Sequence, residues 1–349
     1  MNMQKKKRIL ITGAGGTIGM ALLKEIFQSK RDYEINVFDI KTKALQRRFS
    51  TYKDKIHTFW GDISQPGDLD EACRERDVVI HLAALIPPKA DEFPALAQRV
   101  NEEGTRNLIR TLERLSPGAF LLYASSIAVY GDRLNDPDIR VTDPLKCSKG
   151  DMYARTKINA EKLIQNSSLN WSIFRLTAIM GVNNHKISKL MFHMPLNTPM
   201  EIATPEDTAR AYANAIEHTA QLSHRIFNLS GGSVCRIQYN DFLARSFKIF
   251  GLGKLNFPRN AFAGKNFHCA YYADGDELED ILHFRRDSIE SYFSRVKRSI
   301  SSAQRNITGM FRMLIKKQLL KQSEPLQAVR RHDVPLIQRF FGKEIRSAK

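Results

Sequence analysis

Short apolar, β-branched runs alternate with longer amphipathic stretches along the first half of the chain. Runs such as RILITGA, EINVFDI, DVVIHLAA and AFLLYASS are each followed by a segment with apolar positions at helical spacing. Continuous apolar strands separated by helices are typical of a parallel sheet that is covered on both faces. The pattern therefore predicts an α/β fold with a doubly wound parallel sheet, in which ligands bind at the carboxyl ends of the strands.

The rhythm loosens after Gly181 and resumes with the helix signal PEDTARAYANAIEHTA and the strand RIFNLSGG. Because pieces that complete the sheet follow an irregular stretch, we expect a smaller lobe assembled from discontinuous segments. The predicted division is a main domain of residues 1–180 and 202–235, a smaller lobe of residues 181–201 and 236–284, and a C-terminal extension of residues 285–349.

The positive charge of the chain is concentrated in that extension. The 349 residues carry a formal net charge of +17, and residues 285–349 hold 16 Lys and Arg against 5 Asp and Glu. Residues 9–284 are nearly neutral, so the basic composition does not indicate a nucleic-acid-binding protein as a whole. The extension is a separate basic feature.

Residues 299–320 of the extension combine cations with apolar positions at near-helical spacing. Three interpretations are open: a helix packed on the body or on another subunit, a helix lying on an anionic membrane surface, or an arm that contacts nucleic acid. Nucleic acid is the least favoured, because the segment has no recognised motif and few aromatic residues placed for base stacking. The apolar residues are Ile300, Ile307, Phe311, Leu314 and Ile315, and the cations are Arg305, Arg312, Lys316, Lys317 and Lys321.

Cysteine use and hydropathy indicate the compartment. The four cysteines lie far apart with no C-x-x-C pair, so neither a disulfide framework nor a metal site is indicated. No apolar run approaches the roughly 20 residues of a membrane span. We therefore expect a cytoplasmic protein.

Gly13, Gly16 and Gly19 form a G-x-x-G-x-x-G pattern directly after a predicted strand and before a predicted helix. The missing side chains allow a tight turn, and they let a pyrophosphate rest on the N–H groups of the helix N-terminus. The alternative is that these glycines serve only close packing of the strand and the helix. The context favours a dinucleotide cofactor.

Asp39 ends the second predicted strand, 20 residues after Gly19. A carboxylate at this point can accept hydrogen bonds from both hydroxyls of the adenine ribose, and it would repel a 2′-phosphate. NAD is therefore favoured over NADP. Asp62 ends the third strand, where it either meets the adenine edge or is a solvated turn residue. Four cations after Asp39 could instead hold the 2′-phosphate of NADP: Lys41, Lys43, Arg47 and Arg48.

Tyr153 and Lys157 stand four residues apart on a predicted helix and therefore share one face. An ammonium beside a phenol favours the phenolate, so we expect Lys157 to lower the pKa of Tyr153 and make it a general acid/base. Ser126, at the end of the fifth predicted strand, adds a hydroxyl that can hold a substrate oxygen. A lone Y-x-x-x-K pair is usually a surface pair, but three such groups beside a dinucleotide loop indicate a reaction site.

With these motifs, residues 8 to about 284 resemble the extended short-chain dehydrogenases/reductases of the NAD-dependent epimerase/dehydratase family. The resemblance implies a Rossmann domain that binds NAD, and a smaller lobe that binds the substrate. The matching motifs are T-G-A-G-G-T-I-G at 12–19, G-D-I at 61–63, H-L-A-A at 81–84, V-N-E-E-G-T-R-N-L at 100–108, Y-A-S-S-I-A-V-Y-G at 123–131 and Y-A-R-T-K at 153–157.

The resemblance also implies roles for single residues. Tyr153 is implied to be the catalytic acid/base, Lys157 also to bind the nicotinamide ribose, and Ser126 to be their partner. Asn101 is implied to support the lysine through water. We also expect a small-molecule substrate and a homodimer. Together with Asp39, the expected cofactor contacts are Gly13, Gly16, Thr17, Ile18, Gly19, Asp62, Ile63, Ala83, Ala84, Asn101, Tyr153 and Lys157.

Departures from the family pattern narrow the expected reaction. Ile127 and Ala128 stand where the 4,6-dehydratases resemble one another in an Asp-Glu pair, which disfavours dehydration. The expectation is an NAD(P)-dependent epimerase or oxidoreductase that acts on a sugar or a nucleotide sugar. The chain lacks the usual glycine-rich stretch and arginine for a nucleotide diphosphate, so two alternatives stay open: a dehydrogenase of a non-nucleotide alcohol or carbonyl compound, and a non-catalytic NAD(H)-binding regulator. Three lobe-side residues are more consistent with fold support than with substrate contact: Arg175, His185 and His193.

Overall fold

The computed structural model describes residues 6–29, 31–182, 184, 187–265 and 268–342. Within these residues the strands β1 to β12 are Lys7–Thr12, Tyr33–Asp39, Ile56–Trp60, Val78–His81, Phe120–Ser126, Asp138–Ile139, Asn170–Leu176, Ala178–Ile179, Pro199–Ala203, Arg225–Leu229, Arg236–Gln238 and Tyr271–Tyr272. The helices α1 to α15 are Thr17–Gln28, Lys43–Ser50, Lys89–Glu92, Pro94–Gln98, Gly104–Leu115, Met152–Gln165, Pro205–Ala215, Thr219–Leu222, Tyr239–Ile249, Asp276–Leu282, Ile289–Ser299, Ser302–Met310, Arg312–Lys321, Glu324–Arg331 and Val334–Phe341.

Seven strands form one parallel sheet in the order β10-β7-β5-β4-β1-β2-β3. Side chains of β1 alternate between two buried cores, with Ile9 and Ile11 on one face and Leu10 on the other. Helices α1 and α7 supply the first core, and α5 and α6 supply the second. The predicted doubly wound α/β sheet is therefore confirmed.

The long helix predicted before β5 is interrupted. Residues 94–98 form α4, Arg99–Glu103 form one π-helical turn, and α5 follows directly. A π-turn inserts an extra residue into the helix and is frequent at functional sites. Asn101 lies on this turn and is buried. The π-turn therefore determines the orientation of the Asn101 side chain, which the family resemblance places in the site.

Two small sheets and a separate aromatic core build the lobe. Strand β9 pairs antiparallel with β11 and parallel with β8, and β6 pairs with β12. The lobe core includes Phe242, Phe247 and Tyr292. Tyr292 lies on α11, whereas Leu278 of α10 packs in the core of the main sheet. We therefore propose that α11 belongs to the lobe and α10 to the main domain, which shifts the boundaries expected from the sequence.

The basic segment predicted as one helix over residues 299–320 is two helices, α12 and α13, which meet at Phe311. Helix α13 packs on the lobe core through Ile315, Leu319 and Leu320, and Ile300, which precedes α12, packs there too. Among the described residues, no helix combines the length and the apolar character that crossing a bilayer requires.

Candidate active site

The turn between β1 and α1 requires its glycines. Gly13 has φ +69°, and a Cβ at this position would lie 2.6 Å from the backbone N and Cα of Ala83. A Cβ at Gly19 would lie 2.4 Å from the carbonyl oxygen of Ala14, so α1 can begin close to β1 only without that side chain. The loop thus brings backbone N–H groups to the carboxyl end of the sheet, as phosphate binding requires.

A groove of about 480 Å³ runs over this loop. It crosses the carboxyl ends of β1, β2, β3 and β4, and it is long enough to extend from the loop to residues of α4 and the π-turn. Thr17, Ile18 and Gly19 form the first turn of α1 and are not among the residues that line the groove; Thr17 lines a separate pocket between α1 and α7. The backbone N–H groups of the glycine loop, and the absence of side chains over them, fit a dinucleotide. The implied contacts that line the groove are Gly13, Gly16, Asp39, Asp62, Ile63, Ala83 and Ala84.

Asp39 holds the glycine loop from the next strand. Its carboxylate accepts hydrogen bonds from the backbone N–H groups of Gly15, at 2.8 Å, and Ile40, at 2.9 Å. Arg48 donates to the Gly15 carbonyl oxygen at 2.7 Å. Burial raises the pKa of Asp39, and the two N–H groups and the Arg48 charge oppose that rise. Of the four cations named from the sequence, Arg48 thus contacts the loop directly.

Asp62 serves its own turn as well as the groove. Its carboxylate accepts hydrogen bonds from the backbone N–H of Ser64, at 2.9 Å, and from the Ser64 hydroxyl, at 2.8 Å. Asp62 also lines the groove, beside the buried Ile63. Asp62 can therefore both stabilise its turn and contact the adenine edge, the two roles that the sequence left open.

Tyr153 is the second residue of α6, which Asp151 caps by accepting a hydrogen bond from the Ala154 N–H at 2.8 Å. The Ser126 hydroxyl, at the end of β5, lies close enough to the Tyr153 hydroxyl to lower the pKa of that phenol. Burial raises the pKa of Tyr153 to about 12, against the lowering effect of Ser126. The expectation that Lys157 lowers this pKa is wrong for this structure, because burial outweighs the influences that would lower it.

Lys157 is buried and turned towards the sheet. Its Nζ donates to the Ala124 carbonyl oxygen at 2.7 Å and lies 5.8 Å from the centre of the Tyr153 ring. Burial lowers the pKa of Lys157 to about 7, while the negative charge of Glu161 works against that lowering. Tyr153, Lys157 and Glu161 follow one another at four-residue spacing, so one face of α6 carries all three.

Glu161 is a site residue that the sequence analysis missed. Its carboxylate forms a buried ion pair with Arg175, at 2.7 Å, and accepts a hydrogen bond from the Ser125 hydroxyl. Arg175 also donates to the Tyr130 hydroxyl at 2.7 Å. Arg175 therefore supports the fold beneath the site, as the sequence favoured. The signal for Glu161 was present as a second four-residue step after the tyrosine and the lysine.

Asn101 connects the π-turn to two neighbours. Its Oδ1 accepts from the Leu85 N–H at 2.7 Å, and its Nδ2 donates to the Thr156 hydroxyl at 3.0 Å. Thr156 directly precedes Lys157 on α6. Asn101 thus fixes the helix that carries the lysine, and its implied support of the lysine through water stays a prediction.

A second cavity, of about 560 Å³, lies beside the N-terminus of α6. Three parts of the chain line it: the loop before α6, the lobe and α15 of the extension. Burial and the charge of Asp151 raise the pKa of Asp91, and Arg339 of α15 lies near enough to oppose that rise. The charged lining residues are Lys146, Lys149, Lys265 and Arg339 against Asp132 and Asp136.

Of the other two lobe-side candidates, His193 also lines this cavity, and its Nε2 lies 3.2 Å from Glu324. His185 lies outside the described residues. The sequence analysis assigned no site role to α15, because its distance along the chain concealed that it folds back to the N-terminus of α6.

Residues 10–179 match the model of the 3-beta hydroxysteroid dehydrogenase/isomerase family. The sterol-4-alpha-carboxylate 3-dehydrogenase (decarboxylating) of Saccharomyces cerevisiae is 30% identical over 169 residues, which cover 46% of this chain and 46% of that enzyme. This chain thus spans about half the length of the sterol dehydrogenases it matches. The D-erythronate dehydrogenase of Cupriavidus necator is 26% identical over 260 residues, covering 65% of this chain and 78% of that enzyme.

Solved structures share the fold. The dTDP-glucose 4,6-dehydratase DesIV of Streptomyces venezuelae, crystallised with NAD and TYD, superposes with a TM-score of 0.70 at 19% identity. The alignment covers 83% of this chain and 96% of that one. At this identity the likeness establishes the architecture, and the substrate of that enzyme is not carried over.

Proposed function

We propose that this chain, as a member of the extended short-chain dehydrogenases/reductases, is an NAD-dependent dehydrogenase that interconverts a secondary alcohol and a ketone in a small molecule. The observation that carries the proposal is the placement of Ser126, Tyr153 and Lys157 together at the carboxyl end of the sheet, next to a groove that fits a dinucleotide. A pure NAD(H) sensor would have no use for these groups, so the regulator is disfavoured.

In the proposed mechanism, bound NAD supplies the carbon that accepts the hydride. Ser126 positions the substrate oxygen beside the Tyr153 hydroxyl, which lies near enough for Ser126 to influence its pKa. Tyr153 takes the hydroxyl proton during oxidation and returns it during reduction. Lys157 would hold the ribose of the bound cofactor through its ammonium group. Because the pKa of Tyr153 is raised, the phenol is mostly protonated near neutral pH and is ready to act as the acid in the reductive direction.

A dehydrogenase is favoured over an epimerase because the relatives that share 26–30% of their residues with this chain are named dehydrogenases. An epimerase would regenerate its cofactor within each turnover and would release no NADH. Nucleotide-sugar specificity receives no support from these relatives. The two reactions are separated by one assay that follows isomer formation and reduced nicotinamide in the same sample.

We expect NAD(H) to bind more tightly than NADP(H), because the Asp39 carboxylate lies where it repels a 2′-phosphate. Asp39→Ala should narrow the difference in affinity, as measured by isothermal titration calorimetry. Asp39→Asn is the matched control, because the amide oxygen can still accept from the Gly15 N–H while the charge is gone. Equal affinities, or tighter NADP(H) binding by the parent protein, would contradict the NAD assignment and would point to Arg48 as a phosphate ligand.

We propose that the substrate carries a carboxylate or a phosphate, since the cavity beside α6 is lined by four cations and two carboxylates. Asp136 is already paired with Arg133 at 2.8 Å. Arg339→Met should raise the KM of such a substrate roughly tenfold, the effect of losing a hydrogen bond to a charged group. NAD affinity should stay unchanged in a steady-state assay. Arg331→Met, on the exposed side of the same extension, is the control, and an equal effect of both variants would refute the assignment.

Two associations complete the proposal. A homodimer is expected and is measured by light scattering of the NAD-bound protein. Peripheral contact with a membrane is proposed through the C-terminal extension, because α12 and α13 expose apolar side chains beside their cations. A cytoplasmic location remains a prediction from the cysteine pattern.

A further inference from the structure

Helices α12 and α13 expose an unusual concentration of large apolar side chains. Among the described residues, ten large hydrophobic side chains are exposed, and five of them fall within residues 307–314. The most exposed are Met310 at 79%, Met313 at 73% and Leu314 at 66%. We call these five residues the apolar corner, since they surround the junction of the two helices: Ile307, Met310, Phe311, Met313 and Leu314.

The apolar corner is not the inward face of helices that failed to pack. Ile300, Ile315 and Leu320 of the same segment already pack against the lobe core, and Leu319 is buried in it. Lys316 adds a fixed contact, because its Nζ donates to Asn256 Oδ1 at 2.7 Å. The segment is therefore anchored by one face, and it presents the apolar corner outward on a supported scaffold. Of the interpretations left open by the sequence, the helix packed on the body describes the anchored face, and the helix on a membrane surface describes the exposed face.

The charged residues of the segment that carries the apolar corner have one sign. Residues 299–322 contain no Asp or Glu and five cations. Arg312 and Lys317 lie within the first six residues of α13, and Lys321 is its last residue. Soluble monomers rarely expose contiguous apolar patches of this kind unless the patch is an interaction site. The partner must therefore offer an apolar phase together with negative charge.

A second copy of the chain does not meet that requirement. A symmetric interface places the same patch on both subunits, so cations would face cations with no carboxylate of this segment between them. An anionic bilayer meets both requirements, because acyl chains receive apolar side chains and the headgroups attract Lys and Arg. Amphipathic helices of this composition lie in the interface with their apolar face at the boundary between headgroups and acyl chains.

We infer that the apolar corner inserts into the interfacial region of an anionic membrane, with the cations of α12 and α13 at the level of the headgroups. The inference rests on the proposed peripheral contact and specifies its surface and its partner. The corner lies on the substrate lobe, since α13 packs on the lobe core. Binding at the corner would hold the lobe against the bilayer and leave the dinucleotide groove, which is built from the main sheet, outside it.

The test measures whether the full chain co-sediments with phosphatidylcholine vesicles that contain phosphatidylserine. NAD is present throughout. We expect the protein to bind these vesicles and to bind pure phosphatidylcholine vesicles much more weakly. Binding to the anionic vesicles should fall as the salt concentration is raised. The triple variant Met310→Ser, Phe311→Ser and Leu314→Ser should lose binding at least tenfold. Neutralising Arg312, Lys317 and Lys321 to Gln should weaken it by more than tenfold, since each cation near such a surface contributes roughly fivefold.

The matched control is Val234→Ser, which removes an equally exposed apolar side chain, 59% accessible, outside the segment. It should leave vesicle binding unchanged. Absence of binding by the full chain, or binding that the triple serine variant retains, would overturn the inference. A dimer that the triple variant dissociates would reassign the corner to a second copy. Calorimetric NAD binding is measured on the same samples, so that a failure here is distinguished from a failure of the proposed dehydrogenase function.

Discussion

Replacing Tyr153 with phenylalanine is expected to lower the turnover number by about 10²- to 10⁴-fold, the usual contribution of a general acid/base. The substitution keeps the ring and its packing on α6, and it removes only the hydroxyl that carries the transferable proton. NAD affinity should stay within a few-fold of the parent value. Steady-state kinetics and calorimetry on the same preparation measure the two quantities.

Ser126→Ala is the companion variant for this experiment. It removes the group that positions the substrate oxygen and leaves the phenol in place, so a smaller loss of turnover is expected than for Tyr153→Phe. If Tyr153→Phe turns a substrate over at the parental rate, Tyr153 is not the proton carrier, and the proposed mechanism is wrong however well the motifs match.

Replacing Lys157 with methionine is expected to reduce activity and increase stability. NAD binding should weaken roughly tenfold to a hundredfold, as expected for the loss of a hydrogen bond from a charged group, and turnover should fall with it. The buried ammonium is costly to the fold, which is why burial lowers the pKa of Lys157 to about 7. Each unit of that shift corresponds to about 1.4 kcal/mol, so the variant should gain a few kcal/mol of unfolding free energy at pH 7 and below.

The pH dependence follows from the direction of this shift. Between pH 7 and the ordinary lysine pKa of 10.5, the unfolded parent chain binds more protons at this position than the folded one. The contribution of Lys157 to the unfolding free energy therefore improves as pH rises through that window, and its full cost applies below it. The advantage of Lys157→Met should be largest near pH 6 and should shrink towards about pH 10, as measured by chemical denaturation.

Lys162→Met is the matched control for the stability measurement, because it removes a lysine from the same helix at a position away from the Tyr153 face. It should show no such pH-dependent gain. A Lys157→Met variant that is less stable than the parent at pH 6 would mean that the hydrogen bond to Ala124 and the attraction to Glu161 outweigh the burial of the charge.

The sequence was sufficient for the sheet and the cofactor loop because both depend on local signals. Apolar runs and helical spacing mark β1 and α1, and Gly13 stands where only a glycine fits the backbone. Tyr153 and Lys157 were recognisable because a helix converts four-residue spacing into a shared face. Such features require no knowledge of distant contacts.

Features that depend on distant contacts were not predictable in the same way. The pKa of Tyr153 was expected to fall and is raised, because burial by the surrounding fold is invisible in a helical pattern. The contribution of Arg339 to the cavity depends on α15 folding back across nearly 200 residues. The break at Phe311 divides a segment whose apolar positions form one stripe in the sequence, and exposed apolar side chains lie on both sides of it.

The measurement that tests the central claim most directly is label transfer from a panel of substrates. Hydroxy acids, sugar acids and phosphorylated alcohols with deuterium on the secondary carbinol carbon are incubated with the protein and NAD, and the nicotinamide product is analysed by mass spectrometry. The account predicts stoichiometric deuterated NADH together with the ketone for at least one anionic member of the panel, and loss of that signal in Tyr153→Phe. Isomerised substrate without net NADH, or deuterium transfer that Tyr153→Phe sustains at the parental rate, would contradict it.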